Sequence, residues 1–262
     1  MRCASRLRHL LSRETDVQFS HVALFYDDLM EHVSYGKWVM YLKRRIEELG
    51  VLPKTLLDVA CGTGTPTMML SKEGFFMVGV DKSVDMVRLA RCKALDARIH
   101  IPFFVQDMRY LTLKVPVNVV LCLYDSVNFL LRDDDVGEAF QSAYRILDVG
   151  GLYIFDVVTE QNIRSFFDGQ VYRGKTNRYS YRWTNEYDPK SRICLSHLTG
   201  SCMMDGSYQR FHEVHRERIY PAYQIQSFLE DVGFQILAVR DAFTNKPQTH
   251  KSHRIHFECV KR

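Results

Sequence analysis

The stretch from Leu56 to Thr67, Leu-Leu-Asp-Val-Ala-Cys-Gly-Thr-Gly-Thr-Pro-Thr, decides the fold of this chain. Three of its first four residues are apolar, which favours a buried strand. Gly62 and Gly64 then permit a tight turn with close approach of the backbone to a ligand, and Pro66 suits the first turn of a helix. A strand, a glycine turn and a helix in this order predict a nucleotide-binding corner of an α/β protein.

Two details of this corner distinguish the possible ligands. The pyrophosphate-binding pattern needs a third small residue three places after the second glycine, and Thr67 stands there instead. Asp58, before the glycines, would repel a phosphate but could hold an ammonium group directly or through water. S-adenosylmethionine, with its amino acid, sulfonium and unphosphorylated ribose, suits such a corner better than NAD. The corner resembles the first motif of the class I S-adenosylmethionine-dependent methyltransferases, an acid followed by a glycine-rich run.

Later strand ends carry polar residues that match this family. Asp81 follows an apolar run and lies 23 residues after Asp58, at the position where a ribose diol is usually held. A predicted strand over 103–106 ends at Asp107, which in the family receives the adenine amino group. The residue after it, Met108, corresponds to one that packs against the adenine ring.

The fourth predicted strand, over 117–123, leads into Tyr-Asp-Ser-Val-Asn at 124–128. The family places residues between the cofactor's methyl group and the substrate here. The resemblance therefore implies S-adenosylmethionine as the cofactor and no metal ion. The cofactor-binding residues that it implies are Asp58, Ala60, Cys61, Gly62, Gly64, Asp81, Lys82, Met86, Asp107, Met108, Leu123 and Ser126.

The beginning of the chain divides into two parts. Residues 1–20 are rich in arginine, and we expect a poorly ordered extension there rather than a targeting segment. The catalytic domain is predicted over 21–262. Its start, Tyr-Asp-x-Leu-Met from Tyr26, precedes a predicted helix over 35–49 and is similar to the YqeM-type small methyltransferases and, more distantly, to aminosugar N-methyltransferases. That resemblance implies helices that form a lid over the cofactor, with a tyrosine facing the sulfonium.

Strand and helix patterns alternate from residue 56 to Asp156, which predicts a doubly wound parallel sheet. Residues of about 165–219 instead alternate with a period of two and predict a three-stranded antiparallel insertion. We therefore predict an α/β fold, a Rossmann-like doubly wound, mainly parallel seven-stranded sheet with an N-terminal helical lid and a small antiparallel β insertion. The other predicted elements here are helices over 133–147 and 222–232 and strands over 152–155, 235–240 and 253–260.

The insertion leaves several alternatives open. Its aromatic row, Tyr179, Tyr181 and Trp183, either lines an acceptor pocket or packs the insertion onto the sheet. His212 and His215 fall on opposite faces of a strand, which argues against a metal pair. The chain also matches a Glu-x-His-x-x-x-Tyr pattern of the YqeM-type branch, at positions 213, 215 and 220, and that pattern is either catalytic or structural.

Composition limits the class of protein. The chain has 262 residues, of which 46% are hydrophobic and 25% charged, and this suits one catalytic domain. No apolar run approaches the roughly 20 residues that cross a bilayer, so we expect a protein without a membrane partner. Seven scattered cysteines without a Cys-x-x-Cys pair favour reduced thiols in a cytoplasmic setting over a disulfide framework or a zinc site.

Methyl transfer needs an aligned acceptor and a buried charge, and a base only to free an amine lone pair or ionise a hydroxyl. We expect four residues around the methyl group: Tyr26, Tyr35, Asn128 and His215. His215 is the predicted base because the unperturbed pKa of histidine lies near neutrality.

Three function classes follow from the sequence. The first is a methyltransferase that modifies a nitrogen or oxygen of a small-molecule acceptor, since the insertion can enclose a pocket and the net charge of +4 is mild. The second is an RNA methyltransferase, supported by a basic tail but not by any Asn-Pro-Pro-Tyr or Asp-Pro-Pro-Tyr motif. The third is a non-catalytic scaffold that binds S-adenosylmethionine. The sequence leaves the oligomeric state open.

Overall fold

The computed structural model of the chain describes residues 19–50, 55–204 and 206–262. The predicted N-terminal extension lies outside these residues, apart from Phe19 and Ser20. The strands are β1 (Thr55–Val59), β2 (Phe76–Asp81), β3 (Phe103–Val105), β4 (Val117–Cys122), β5 (Leu147–Val158), β6 (Val171–Lys175), β7 (Tyr179–Asp188), β8 (Ile193–Met204), β9 (Ser207–Arg218), β10 (Phe234–Asp241) and β11 (Arg254–Lys261).

Helices connect these strands and precede the first one. Shorter helical turns cover Val22–Phe25, Met108–Tyr110, Ser126–Phe129 and Ile163–Phe167. The α-helices are α1 (Tyr26–Leu29), α2 (Tyr35–Glu48), α3 (Thr65–Lys72), α4 (Val84–Asp96), α5 (Asp133–Ile146), α6 (Glu160–Asn162) and α7 (Ala222–Val232).

The main sheet has seven strands in the order β10-β11-β5-β4-β1-β2-β3. Strands β1 to β5 pair in parallel, whereas β11 runs antiparallel to both β5 and β10. This confirms the predicted Rossmann-like, mainly parallel sheet. The strand order reverses between β1 and β4, and a doubly wound sheet binds its ligands outside the carboxyl ends of the strands at that point.

Apolar side chains cover both faces of the sheet, which explains why β1 and β4 are almost continuously apolar. On one face Leu57 packs in a cluster with Phe140 of α5 and Ile225 of α7. On the other face Leu56 packs in a second cluster with Leu42 of α2. The contacts on both faces fix the position of β1 in the sheet. Asp58, the last residue but one of β1, therefore lies at the ligand-binding end.

The insertion is a separate sheet in the order β6-β7-β8-β9. The prediction of three strands was therefore wrong by one. The missed strand, β6, is a short and largely exposed edge whose sequence, Val-Tyr-Arg-Gly-Lys, has little alternation of polar and apolar residues. Gly174 in β6 is required by close packing, since a Cβ there would lie 2.3 Å from Cε1 of Tyr181.

The fifth strand also begins earlier than predicted. Helix α5 ends at Ile146, and β5 starts at Leu147 and continues through Gly150 and Gly151. The pairing with β4 shifts register there, from Leu147 opposite Val117 to Leu152 opposite Val119, so the two glycines belong to a bulge within the strand.

Five cysteines are free thiols and buried: Cys61, Cys122, Cys194, Cys202 and Cys259. Within the described parts of the chain, no helix combines the length and apolar character needed to cross a membrane. No group of three or more His, Cys, Asp or Glu side chains among these residues is arranged to hold a metal ion.

Candidate functional site

The turn after β1 has a left-handed backbone at three positions. Ala60, Gly62 and Gly64 have φ values of +56°, +55° and +76°. A Cβ on Gly64 would lie 2.9 Å from Cζ of Phe103 and 3.1 Å from Cβ of Ala90, so glycine is required there for both conformation and space. Gly64 is the N-cap of α3, and the turn therefore presents the start of that helix.

Two predicted carboxylates lie beside this turn. Asp58 is 2% exposed, and its Oδ2 accepts a hydrogen bond from the Thr67 hydroxyl. Burial raises the pKa of Asp58 to about 7, against the opposing effect of the Thr67 bond. Asp81 accepts hydrogen bonds of 2.8 Å from the backbone N–H groups of Gly62 and Ser83, and its burial also raises its pKa. Asp81 thus fixes the glycine turn to the end of β2.

Asp107 lies in a cluster of opposite charges. Its carboxylate pairs with Arg109 at 2.7 Å and with Nζ of Lys82 at 3.4 Å, and Arg109 also contacts Asp135. Partial burial raises the pKa of Asp107, but the hydrogen bonds from Arg109 outweigh it and the pKa falls to about 2. The carboxylate is therefore ionised at neutral pH. An adenine amino group bound at this position would share the carboxylate oxygens of Asp107 with Arg109.

A cleft of about 50 Å³ opens at the carboxyl ends of β1 and β4, below the N-terminal segment. It brings together eight of the residues predicted for the site. The residues that line it are Tyr26, Tyr35, Asp58, Ala60, Cys61, Gly62, Thr63, Thr65, Pro66, Leu123, Tyr124 and Ser126.

The other predicted cofactor residues do not line this cleft. Gly64 and Asp81 brace the turn behind it, as described above. Lys82 pairs with Asp107, and Met86 is buried at the start of α4, where its N–H is bonded to the capping hydroxyl of Ser83. Met108 packs against the edge of the core cluster. Lys82 and Met86 follow the end of β2, and Met108 follows the end of β3.

Three tyrosines converge on the cleft: Tyr26, Tyr35 and Tyr124. The ring centroids of Tyr35 and Tyr124 are 6.4 Å apart. Burial raises the pKa of all three phenols, so they are protonated at neutral pH. Within the described ranges, none of the three hydroxyls makes a hydrogen bond.

Asn128 and His215 are placed differently from the expectation. Asn128 is fully buried; its Nδ2 donates to the carbonyl of Arg218, and its Oδ1 accepts from the N–H of Val158. His215 is buried, with its Nε2 3.0 Å from Oε2 of Glu213 and its ring edge-on to Phe19. Neither side chain lines the cleft.

Glu213 holds the N-terminal segment in place. Its carboxylate accepts hydrogen bonds from the N–H groups of Phe19, His21 and Val22, at 2.9, 2.6 and 3.1 Å. Although partial burial opposes ionisation, the bonds from His21, His215 and Val22 keep the pKa of Glu213 far below its usual value. The Glu-x-His pattern of the sequence is thus the anchor of the segment that covers the cleft.

A second contact joins the same segment to the glycine turn. Lys93 Nζ lies 2.5 Å from Oδ2 of Asp27, 2.7 Å from the Thr65 hydroxyl and 3.1 Å from the Thr63 hydroxyl. Sequence patterns give no sign of this contact, because Lys93 and Asp27 are 66 residues apart along the chain.

A buried charge cluster beside the cleft was also missed. Asp156, at the end of β5, accepts the N–H groups of Tyr124 and Asp125 at 2.6 and 2.9 Å and so fixes the turn after β4. Arg254 of β11 binds both Asp125 and Asp156, and its guanidinium lies 4.7 Å from the ring centroid of Tyr124. Asp156 is recognisable in the sequence as an acid at the end of a strand. Arg254 is not, because only the fold brings β11 next to the turn after β4.

A larger groove of about 550 Å³ lies at the opposite end of the sheet, beside Val149, Leu237 and Val260. It is lined mainly by apolar residues and contains neither the glycine turn nor an acidic side chain. The smaller cleft is therefore the better candidate for chemistry.

Comparisons with known proteins agree with this geometry. Residues 56–151 match a family described as "Methyltransferase domain". The putative methyltransferase YqeM of Bacillus subtilis is 31% identical over 241 residues, which cover 91% of this chain and 95% of YqeM.

Solved structures give the same picture. An S-adenosylmethionine-dependent methyltransferase from Clostridium acetobutylicum superposes with a TM-score of 0.80 at 25% identity, covering 92% of this chain and 97% of that one. The sugar N-methyltransferase KedS8 from Streptoalloteichus shares the fold, with a TM-score of 0.75 at 20% identity over 97% of this chain and 99% of its own. The chain, with its glycine turn and strand-end acids, therefore belongs to the class I S-adenosylmethionine-dependent methyltransferases, in their YqeM-like branch.

Proposed function

We propose that the protein binds S-adenosylmethionine at the carboxyl ends of β1 and β4 and methylates a nitrogen or oxygen of a small-molecule acceptor. The observation that carries this proposal is the meeting of Asp58, the glycine turn and two lid tyrosines at one cleft. When bound, S-adenosylmethionine supplies an electrophilic methyl group on a sulfonium. The protein's own residues then have to bind, orient and shield the reactants.

The residues at the cleft suit the amino acid and ribose parts of this cofactor. Asp58 is buried with one hydroxyl partner and a pKa near 7, so a nearby ammonium would favour its ionised form. Asp81 already accepts two N–H bonds, and a carboxylate has further lone pairs for a diol. Gly62 lies opposite Tyr26, and an added Cβ would make only an ordinary contact of 4.0 Å with Cε1 of that ring, so the positive φ of +55° rather than space favours glycine.

We propose that the adenine end lies along Asp107 and Met108, with Lys82 and Met86 nearby. Asp107 is ionised and is held in place by Arg109, so its oxygens have a fixed direction. This assignment rests on the position of Asp107 at the end of β3, next to the strand that carries Asp81.

On the acceptor side, we assign Tyr26 and Tyr35 to orienting the acceptor and excluding water. Their protonated, unpaired hydroxyls are able to donate hydrogen bonds at the cleft. We assign Asn128 to the structural task of joining β5 to β9, since both ends of its amide are bonded to backbone. The base role of His215 stays a prediction; full turnover by His215→Ala on an identified acceptor would exclude it.

A small acceptor is favoured because the N-terminal segment covers the cleft, and because a protein of the same fold, KedS8, is named a sugar N-methyltransferase. Cys92 is disulfide-bonded, which differs from the expectation of reduced thiols, whereas the five free thiols are buried. We keep the predicted cytoplasmic setting as part of the proposal.

Methyl-labelled S-adenosylmethionine tests this function directly. The protein is incubated with the low-mass fraction of a bacterial extract and, separately, with total RNA from the same cells. We expect label in low-mass products only. Label in RNA alone would support the RNA alternative, and binding of the cofactor with no transfer to either fraction would support the scaffold alternative.

A further inference from the structure

The side of the insertion sheet that faces away from the lid is cationic, and the proposed function has no use for it. The other side packs against the lid, where Tyr179 stacks on Phe25 with ring centroids 4.6 Å apart, as the packing alternative for the aromatic row predicts. Because side chains alternate along a strand, the residues between these packed ones point away from the lid. The strand register aligns them in three rows across all four strands, which we call the outer face: Val171, Thr184, His197 and Val214; Arg173, Arg182, Thr199 and His212; and Lys175, Ser180, Ser201 and Arg210.

The outer face holds four arginine or lysine side chains and no acid. All four are exposed, and among the described residues none of them forms an ion pair: Arg173, Lys175, Arg182 and Arg210. The first acid on this side of β7, Glu186, lies one row beyond the outer face. Arg173 and Arg182 lie directly opposite each other on β6 and β7. Like charges in that position destabilise a sheet, so an anion bound between them would relieve the repulsion.

Hydrogen-bonding groups lie between these cations. The hydroxyls of Ser180 and Ser201 are 3.1 Å apart, and Nδ1 of His197 lies 3.2 Å from Nε2 of His212. Arginine guanidinium groups bind phosphate oxygens through two parallel bonds, and hydroxyl and imidazole groups bind phosphate and sugar oxygens singly. The hydroxyls can also pair with the 2′-hydroxyl that distinguishes RNA from DNA. The outer face therefore has the groups that hold the sugar–phosphate backbone of RNA.

An exposed aromatic ring extends the outer face at one end. Tyr208, two residues before Arg210 on β9, is 58% exposed and lies opposite Met203. Its hydroxyl donates to the carbonyl of Asn177 at 3.0 Å, so the ring is held in place. A fixed ring beside exposed cations suits the stacking of an unpaired base. This combination favours single-stranded RNA over a duplex, whose bases stack on one another, and over an anionic lipid surface, which has no base to stack on the ring.

We propose that the outer face docks the backbone of single-stranded RNA, with one unpaired base stacked on Tyr208. The four cations contact phosphates, and the hydroxyls between them contact the sugars. The outer face lies on the side of the insertion sheet away from the lid, so the docked RNA is a partner and not the methyl acceptor. This docking surface goes beyond the proposed function and does not depend on it.

Fluorescence anisotropy with a labelled oligouridylate of about 12 nucleotides tests the docking surface. The wild type is compared with the double variant Arg173→Glu/Arg182→Glu. The matched control, Lys72→Glu/Lys190→Glu, makes the same change of net charge at exposed positions outside the outer face. Circular dichroism shows whether each variant is folded.

If all four cations meet phosphates, the affinity of the wild type should fall about fiftyfold between 50 mM and 200 mM salt, since each contact with a single strand adds roughly 0.7 to the salt slope. Arg173→Glu/Arg182→Glu should bind at least about tenfold more weakly at 50 mM salt, and its affinity should fall only about sevenfold over the same range. The control variant should bind as the wild type does.

Tyr208→Ala tests the stacked base. It should weaken binding roughly fivefold or more, whereas Tyr223→Ala, at a ring that is 68% exposed on α7, should not. The docking surface is overturned by a wild type that binds no RNA, by equal losses in the two double variants, by an unaffected Tyr208→Ala, or by binding to phosphatidylserine vesicles in place of RNA. Transfer of label from methyl-labelled S-adenosylmethionine to the bound RNA would overturn both the docking role and the proposed small-molecule acceptor.

Discussion

Asp58 lies at the cofactor end of the cleft, and its charge depends on its surroundings. Burial raises its pKa to about 7, so the folded protein binds this proton between about pH 4 and pH 7 whereas the unfolded chain releases it. The group's contribution to stability therefore falls as the pH rises through this window. A bound ammonium reverses the preference, because it favours the carboxylate.

We therefore expect the affinity for S-adenosylhomocysteine to rise about tenfold from pH 6 to pH 8, as the ionised fraction of Asp58 increases. Calorimetry at the two pH values measures it. Asp58→Asn should bind more weakly and with little dependence on pH. The same rise in Asp58→Asn would assign the dependence to another group.

The close packing around Gly64 predicts how much a substitution there lowers the free energy of unfolding. Gly64 and Gly50 both have positive φ, but an added Cβ would collide with Phe103 and Ala90 only at Gly64 and would meet nothing within 4 Å at Gly50. Gly50→Ala should lower the free energy of unfolding by about 1 kcal/mol, and Gly64→Ala by roughly 2 kcal/mol more. Urea denaturation compares the two. Equal losses would mean that backbone strain alone sets the requirement.

Sequence reasoning worked at the residue scale where the partners are close along the chain. Asp58, Gly62 and Gly64 belong to one short segment, and Asp81 follows the next strand, so their convergence is a consequence of a parallel sheet. Asn128, Glu213 and Arg254 have partners up to 194 residues away. Their tasks depend on contacts that no local pattern contains.

Among the elements, the N-terminal segment controls access to the cleft. The cleft of about 50 Å³ is small for a ligand of the size of S-adenosylmethionine, so we infer that the lid moves when the cofactor enters. Several contacts hold the lid down, and two of them involve charged side chains at its two ends. Glu213 binds the N–H groups of Phe19, His21 and Val22, and Lys93 binds Asp27. We infer that these contacts set the rate of opening.

Glu213→Gln should loosen the lid, because an amide accepts fewer and weaker hydrogen bonds than a carboxylate. We expect amide hydrogen exchange over residues 19–30 to become roughly tenfold faster or more, in line with a loss of about 1.5–3 kcal/mol. Glu31→Gln, at an exposed position beside the lid, is the control. Unchanged exchange in Glu213→Gln would show that the anchor is elsewhere.

At the element scale, periodic patterns predicted the strands and helices of the main sheet to within a few residues, apart from the early start of β5 at Leu147. In the insertion sheet, strand β6 was not predicted at all. Strand β6 lacks a pattern because it is an exposed edge, and it exists because its backbone pairs with β7 from Val171 opposite Thr184 to Lys175 opposite Ser180. A strand that is stabilised by backbone pairing with its neighbour shows little pattern of polar and apolar residues in its own sequence.

At the scale of the whole molecule, the N-terminal lid lies between two unlike sheets. The parallel sheet contributes Asp58 and the glycine turn to the cleft, while the insertion sheet packs against the lid through Tyr179 and Phe211. The alternation of strands and helices predicted the parallel sheet. The position of the insertion sheet could not be predicted, since its docking depends on the lid that packs against it.

Binding of S-adenosylhomocysteine, measured by calorimetry, shows whether this corner holds the cofactor. The comparison uses the wild type, Asp81→Ala, and the control Asp85→Ala, which removes a nearby acid of α4 that pairs only with Arg88 among the described residues. Circular dichroism shows whether each protein is folded. We predict micromolar binding by the wild type and Asp85→Ala, and loss of binding in Asp81→Ala. A folded wild type that does not bind, or an Asp81→Ala protein that binds as tightly, would contradict the account.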